Sequence, residues 1–207
     1  MALIDISPEI DASLQVWPGD TPFVRTVNLD LLAGANITLS DIRTTVHAGA
    51  HADAPSHFLA GAADIASCGL DYYAGRCAVM AVDVERGRRI MPADLAGRAI
   101  SAPRVLLRTG TFPDPRRWND DFASLSPELV DFLHNRGVIL VGIDTPSVDP
   151  FDSKALEAHH ALGRNDMAIL EGIVLSGVDE GEYELIALPL RLRGADASPV
   201  RAVLRTL

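Results

Sequence analysis

No stretch of this chain approaches the roughly 18 consecutive apolar residues that a membrane-spanning helix needs. The opening Met1-Ala2-Leu3-Ile4-Asp5-Ile6 has neither the basic segment nor the long apolar core of a secretory leader. Cysteine is scarce. Cys68 and Cys77 are the only two in 207 residues, too few for a disulfide framework and without ligand-like partners at short spacing. Both are expected to be reduced filler or surface residues of a cytoplasmic protein. An excess of positive charge is also missing. The formal net charge is −10, which argues against nucleic acid and anionic membrane as partners, since phosphate binding needs a basic face. The acidic residues are spread along the chain, so the charge reads as solubility. There is no internal repeat, no low-complexity tract and no linker. There is also no Gly-x-Ser-x-Gly elbow, so a serine-hydrolase route is not expected.

What remains is an ordinary globular balance, 48% hydrophobic and 22% charged, in a length that suits one domain over residues 1–207. Thirteen prolines and sixteen glycines are scattered as punctuation, a pattern that suits a mixed α/β domain with many short strands. Leu3–Ile6 reads as a first strand. An irregular N-terminal arm over residues 7–22 follows, held by Pro8, Pro18 and Pro22 and carrying Trp17. Phe23–Leu31 and Ile37–Val46, joined through Gly34-Ala35-Asn36, read as a hairpin. Further strands are predicted at Cys77–Val84, Arg104–Arg108, Val138–Ile143, Tyr183–Leu188 and Val200–Leu204. A helix is predicted over Pro127–Arg136, with Ser126 as its cap, Pro127 at its first position and Gly137 as its stop. A second helix is predicted over Ser153–Leu162. This strand content points to a curved or barrel-like sheet with helices packed outside it.

The chemistry concentrates in His47-Ala48-Gly49-Ala50-His51-Ala52-Asp53-Ala54-Pro55-Ser56-His57, which holds three of the six histidines. Every potential ligand there has an odd number, so in an extended chain His47, His51, Asp53 and His57 project to one side. The even positions are small. A straight strand would hold residues four apart about 13 Å from each other at about 3.3 Å per residue. Two imidazoles on one metal need ring nitrogens within roughly 4 Å, given bonds near 2.1 Å. The segment must therefore bend between His47 and His51, and Gly49 is the residue that allows it. Nitrogen and oxygen ligands without sulfur suit Zn²⁺ and equally Mn²⁺, Fe²⁺ or Co²⁺. Outside the segment, His134 near the helix end reads as a dipole partner. His159 and His160 form a doublet in Ala158-His159-His160-Ala161. Glu171 stands inside the apolar run Met167–Leu175, where a carboxylate is costly to bury unless paired or metal-bound.

The segment resembles the His-x-Gly-Thr-His-x-Asp-x-Pro-x-His motif of the cyclase-like metal-dependent hydrolases, with Ala50 in place of threonine. Within that superfamily it is most similar to the bacterial kynurenine formamidases. Val16–Pro22, Gly142–Ser147, Met167–Gly172, Tyr183–Leu190 and Asp196–Ala202 are similar as well, so the resemblance covers nearly the whole chain. It implies a cyclase-like swivelling β/β/α fold and two divalent metal ions per chain, zinc first and manganese as the alternative. The resemblance assigns His47, His51 and Asp53 to the first ion and His159, in preference to His160, to the second, with Asp53 and Glu171 reaching both. His57 becomes the general acid/base and Trp17 lines the aromatic end of the substrate pocket. The implied reaction is hydrolysis of N-formyl-L-kynurenine to L-kynurenine and formate, by metal-bound hydroxide attack on the formyl carbonyl with His57 delivering a proton to the departing amine. The alternative is a sister hydrolase acting on a cyclic amide, imide or lactone. A small-molecule substrate and a homodimer, with the arm near its neighbour, complete the expectation.

Overall fold

The computed structural model describes residues 2–207. In chain order, the described residues form β1 (Leu3–Asp5), β2 (Val24–Leu29), β3 (Leu39–Arg43), β4 (His51–Asp53), β5 (Ala74–Ala81), β6 (Arg89–Ile90), β7 (Arg104–Arg108), β8 (Ser124–Leu125), α1 (Pro127–His134), β9 (Leu140–Ile143), α2 (Glu157–Arg164), β10 (Ala168–Glu171), β11 (Gly181–Ile186), β12 (Ala197–Pro199) and β13 (Val203–Thr206). Nine strands join one curled sheet in the order β1-β13-β11-β5-β7-β9-β10-β4-β12. The central β5, β7, β9 and β10 run parallel, and the strands outside them pair antiparallel.

Burial follows from composition. The parallel strands are apolar at nearly every position, which suits strands covered on both faces. Val105, Leu107, Val141, Ile143 and Ile169 face one way and pack beneath α1 and α2, against Leu129, Val130, Leu133, Ala158, Ala161 and Leu162. Leu106, Leu140, Leu170, Val79, Leu185 and Leu204 face the inside of the curl, with Tyr73 and Ile6. The architecture is the α/β class with a curved sheet and outer helices that the strand pattern suggests.

Two predicted elements differ in an instructive way. Val200–Leu204 is not one strand. The chain pairs with β4 as β12, then crosses to pair with β11 and β1 as β13. The crossing residues tie the two edges of the curl, through Ile6 N donating to Ala202 O and Val200 N to Ala50 O. Helix α2 starts at Glu157 and not at Ser153. The local signal at Ser153 is real, since its Oγ accepts from Leu156 N, but Leu156 takes a left-handed conformation (φ 45°). The helix N-terminus is instead satisfied by the buried Asp149, whose carboxylate accepts from Ala158 N and His159 N. Helix α1 keeps its predicted cap, with Leu129 N donating to Ser126 Oγ, and ends at His134, two residues short of the predicted end.

Residues 7–22 carry neither helix nor strand. They are held against residues 115–116 by Gln15 N donating to Pro115 O and by Arg116 reaching Glu9, Asp11 and Ser13. Hairpin β2–β3 stands apart as its own two-stranded sheet and every residue of it is exposed. Cys77 is buried, Cys68 is half-buried, and both are free thiols. Among the described residues no helix is long and apolar enough to cross a membrane.

Candidate metal centre and active site

The site is assembled where β4 lies antiparallel to β10. Their register sets His51 opposite Glu171 and Asp53 opposite Ile169. On β4, His51 and Asp53 are two residues apart and share a face. The predicted bend is present. Gly49 has φ 63°, and the chain turns there so that the His47 and His51 rings come within 5.0 Å, nearly perpendicular. From the other side α2 delivers His159. The resulting cluster is buried, with His51, Asp53, His159 and Glu171 each no more than 3% exposed.

The distances converge on the carboxylates. Asp53 Oδ1 lies 3.1 Å from His47 Nδ1 and 3.6 Å from His51 Nε2. Asp53 Oδ2 lies 3.3 Å from His159 Nε2. Glu171 Oε2 is 3.1 Å from His51 Nε2, and its Oε1 is 3.6 Å from His159 Nε2. Glu171 Oε1 also accepts from Val148 N at 2.7 Å. Of these residues His47, His51 and Asp53 offer ligand atoms within 4.8 Å of one another. Asp53 Oδ1 is buried and meets none of its neighbours in a regular hydrogen bond, although His47 Nδ1 is 3.1 Å away. A buried carboxylate oxygen ringed by imidazole nitrogens is costly unless a cation is supplied, so the donor set fits a divalent metal.

The outer nitrogens of these rings are also held. His51 Nδ1 donates to Gly49 O at 2.8 Å. His159 Nδ1 lies 2.8 Å from Asp149 Oδ2, and Asp149 is in turn paired with Arg89. Asp196 Oδ2 approaches His47 Nε2 and His57 Nδ1. A carboxylate or carbonyl on the outer nitrogen fixes the tautomer and aims the inner one. In the metal-free protein these carboxylates hold His47 and His159 charged. Burial alone would lower the His47 pKa, but Asp53 and Asp196 raise it to about 9. Burial likewise opposes a charge on His159, but Asp149 and Asp53 raise it to about 10. Asp53 is pushed up by burial and held well below its usual value by His159 and His47.

His57 sits on the single turn Pro55–His57 that follows β4. Its ring is 4.4 Å from that of His47 and 5.7 Å from that of His159, and it is partly open to solvent. His160, one residue on from His159, pairs with none of these carboxylates, and its ring lies edge-on to Phe58 at 6.1 Å. His134 is exposed at the end of α1, outside the cluster.

A cavity of about 850 Å³ opens on the cluster. It lies beyond the C-terminal ends of the parallel strands, with Asp83 after β5, Thr109 and Gly110 after β7, Asp144 and Ser147 after β9, and Gly172 after β10 on its wall. That is where open α/β sheets place ligands. Trp17 lines it from the arm, with Phe112 and Trp118. Trp17 packs edge-on to Trp118 at 5.4 Å and tilted against Phe151 at 5.1 Å. Asp144 pins the Thr109–Gly110 turn by accepting from both backbone N–H groups and from Thr109 Oγ1, while burial raises its pKa.

Asp149, Asp196, Trp118 and Phe112 are the site residues that the sequence reading did not single out. Each lies on a loop, with no period to betray it. The one usable signal was chemical: ring nitrogens turned away from a metal need acceptors, so spare aspartates beside prolines and turns were candidates.

Comparison with known proteins agrees with the geometry. The family model for Cyclase matches residues 4–150, and the chain belongs to this family. A little further in, it is 48% identical over 206 residues to a kynurenine formamidase of Bordetella pertussis, covering 99% of this chain and 98% of the relative. Among solved structures it is similar to one described as a predicted metal-dependent hydrolase from Bacillus stearothermophilus, at 27% identity and TM-score 0.83, over 98% of this chain and 97% of that one. Isatin hydrolase A from Labrenzia aggregata shares the fold at 21% identity and TM-score 0.83, over 100% of this chain and 94% of that one.

Proposed function

We propose that the chain hydrolyses N-formyl-L-kynurenine to L-kynurenine and formate, a step of tryptophan degradation. The observation that carries this is a full-length likeness to a kynurenine formamidase in a chain whose buried His/Asp/Glu cluster opens into an aromatic-walled cavity. The chain is an arylformamidase-type hydrolase on that likeness. We assign two divalent ions to the site, zinc first and manganese as the alternative. His47, His51 and Asp53 would hold one and His159 the other, with Asp53 and Glu171 reaching both. Bound there, divalent cations supply a Lewis acid for the formyl oxygen and lower the pKa of a water to about 7.

The remaining work belongs to the chain. His57, beside the cluster and reachable from the cavity, takes a proton from the attacking water and returns it to the aniline nitrogen, because an unprotonated anilide leaves poorly. Trp17, with Trp118 and Phe112, offers faces and edges to the aryl ring. The tight cluster admits a formyl group and excludes larger acyl groups. The test is formate release from N-formylkynurenine before and after chelation, set against ring opening of an indole-dione. Release that chelation abolishes supports the reading, whereas ring opening without formate release would move the chain to the sister hydrolases.

Two measurements follow from the assigned ligands. His159→Ala is expected to lose metal and most activity, while His160→Ala keeps both, because only His159 faces Asp53 and adjacent helical residues point about 100° apart. The reverse result would reassign the ligand. Second, the metal-free site holds His47 and His159 charged at neutral pH. Zinc uptake at pH 7 should therefore release about two protons per chain from these two rings, plus whatever a bound water gives up, the histidine share falling as pH passes 9 and 10. By the same sign, the stabilisation of the metal-free fold by these charged histidines is complete below about 6.5. It fades as pH rises through 9 and 10. Zinc calorimetry in buffers of different ionisation enthalpy reads the proton count. A count near zero at pH 7 would mean that the histidines are neutral before metal binds.

We also propose that the protein is a homodimer and cytoplasmic. The two free thiols fit a reducing compartment. Hairpin β2–β3 and its connection carry Val24, Val27, Leu29, Leu31, Leu32, Ile37, Leu39 and Ile42 exposed, Leu32 at 97%. That concentration of apolar surface suits a second copy of the chain. Leu32→Asp with Ile42→Asp is expected to shift sedimentation from dimer to monomer, and a wild type that sediments as a monomer at micromolar concentration would remove the proposal.

A further inference from the structure

Asp196 enters the site from outside the segment that carries the histidines. Its backbone is fixed, because its carbonyl accepts from Ala54 N at 2.8 Å and the next residue, Ala197, is the β-partner of Asp53. The side chain therefore stands over the turn between β4 and His57. One oxygen, Oδ2, lies 3.0 Å from His47 Nε2 and 3.3 Å from His57 Nδ1. A carboxylate oxygen has two lone pairs and can accept from both rings at once.

Every other histidine of the cluster has its outer nitrogen held. Gly49 O does this for His51 and Asp149 for His159. His47 and His57 share a single holder, and it is the one partly exposed carboxylate of the group, with its side chain 49% exposed. A neutral imidazole carries one proton, and a carboxylate beside Nδ1 keeps it there and leaves Nε2 with the free lone pair. For His47 the same contact keeps the proton on Nε2 and turns Nδ1 toward Asp53.

We propose that Asp196 is a positioning residue for both histidines, one carboxylate oxygen that fixes the ring orientation and tautomer of the proton carrier His57 and of His47 beside it. The proposal rests on the assignment of His57 made above.

The experiment uses Asp196→Ala and Asp196→Asn in the zinc-loaded protein with ¹⁵N-labelled histidine. Long-range ¹H–¹⁵N correlation spectra report the tautomer of each ring. In the wild type His57 should give the pattern of a single ring protonated at Nδ1. In Asp196→Ala it should move to the Nε2-protonated or averaged pattern, with Asp196→Asn, which keeps the shape and weakens the acceptor, falling between. For N-formylkynurenine, kcat in Asp196→Ala should drop about 10–100-fold, the usual worth of a group that orients a site imidazole. KM should stay within about two-fold, and adding Asp196→Ala to His57→Ala should cost less than the same change costs in the wild type, because only the His47 share of the loss is left. An unchanged His57 tautomer, or losses that multiply in the double variant, overturns the proposal. A wild type that releases no formate from any N-formyl arylamine overturns the functional reading alone, because the tautomer spectra decide Asp196 by themselves.

Discussion

Replacing His57 by alanine is expected to lower kcat about 10²–10⁴-fold, the usual contribution of a positioned proton-transfer group, and to leave bound metal unchanged. Geometry alone does not separate the two effects, since His57 offers a ligand atom within 4.8 Å of those of Asp53 and His159, but the closest contacts differ. His47, His51 and His159 all lie within 4 Å of Asp53, and His51 and His159 of Glu171 as well. The only carboxylate that His57 approaches this closely among the described residues is Asp196. It stands beside the cluster, on the cavity wall, where it can reach a leaving nitrogen. The deficit should shrink for formanilides whose ring withdraws electrons, since such an amine leaves with less help from a proton. A variant that loses metal in step with activity would make His57 a ligand, and the proton carrier would have to be sought elsewhere.

The second large effect is expected away from any titrating group, at Gly172→Ala. Gly172 has φ 65°, and a Cβ there would lie 2.3 Å from Gly49 O and 2.9 Å from Gly49 C. Backbone cannot rotate aside as a side chain can. The left-handed conformation costs about 1–2 kcal/mol and overpacking a further 1–3 kcal/mol or so. For a domain of this size that corresponds to a fall in Tm of roughly 4–20 °C, at about 2–4 °C per kcal/mol. The clash also reaches the site, because Gly49 O is the acceptor that aims His51. Metal affinity should fall together with stability. Gly34→Ala is the control, with φ 91° and no atom within 4 Å of the added carbon, so it carries the conformational cost alone. If the two variants melt together, the close approach of Gly172 to Gly49 is not what stabilises this corner.

The fold was legible wherever one element explains itself. Helix α1 carries its cap, its first-turn proline and its apolar face within a dozen residues, and β5, β7 and β9 announce themselves by largely apolar runs, whereas β4 and β10, too short to show a period, do not read as strands. Helix α2 misled because its cap is tertiary: Ser153 offers a local start, while Asp149, held in place by Arg89 and by the helix itself, determines the real one. The stretch after Asp196 misled for a related reason. A run of β-forming residues does not disclose that Val200–Ala202 only cross the sheet between β12, which ends before them, and β13, which begins after them.

The same division runs through the site. The sequence by itself determined which side chains could gather, since alternation put His51 and Asp53 on one face, Gly49 let the chain bend toward His47, and a carboxylate at Glu171 was costly to leave unpartnered in an apolar run. Those are properties of one segment and its backbone, and they survive without knowledge of its neighbours. Only the tertiary structure decided that Glu171 stands opposite His51, that α2 turns His159 inward and leaves His160 paired with none of the carboxylates, and that Asp149 and Asp196 hold the outer nitrogens. It also brought Trp118 and Phe112 alongside Trp17. The reason is physical. Periodicity encodes which face of an element a residue occupies, whereas the partner across a sheet or from a distant loop is set by strand register and by the packing of helices against the sheet. Those quantities belong to the whole chain and are written in no local stretch of it.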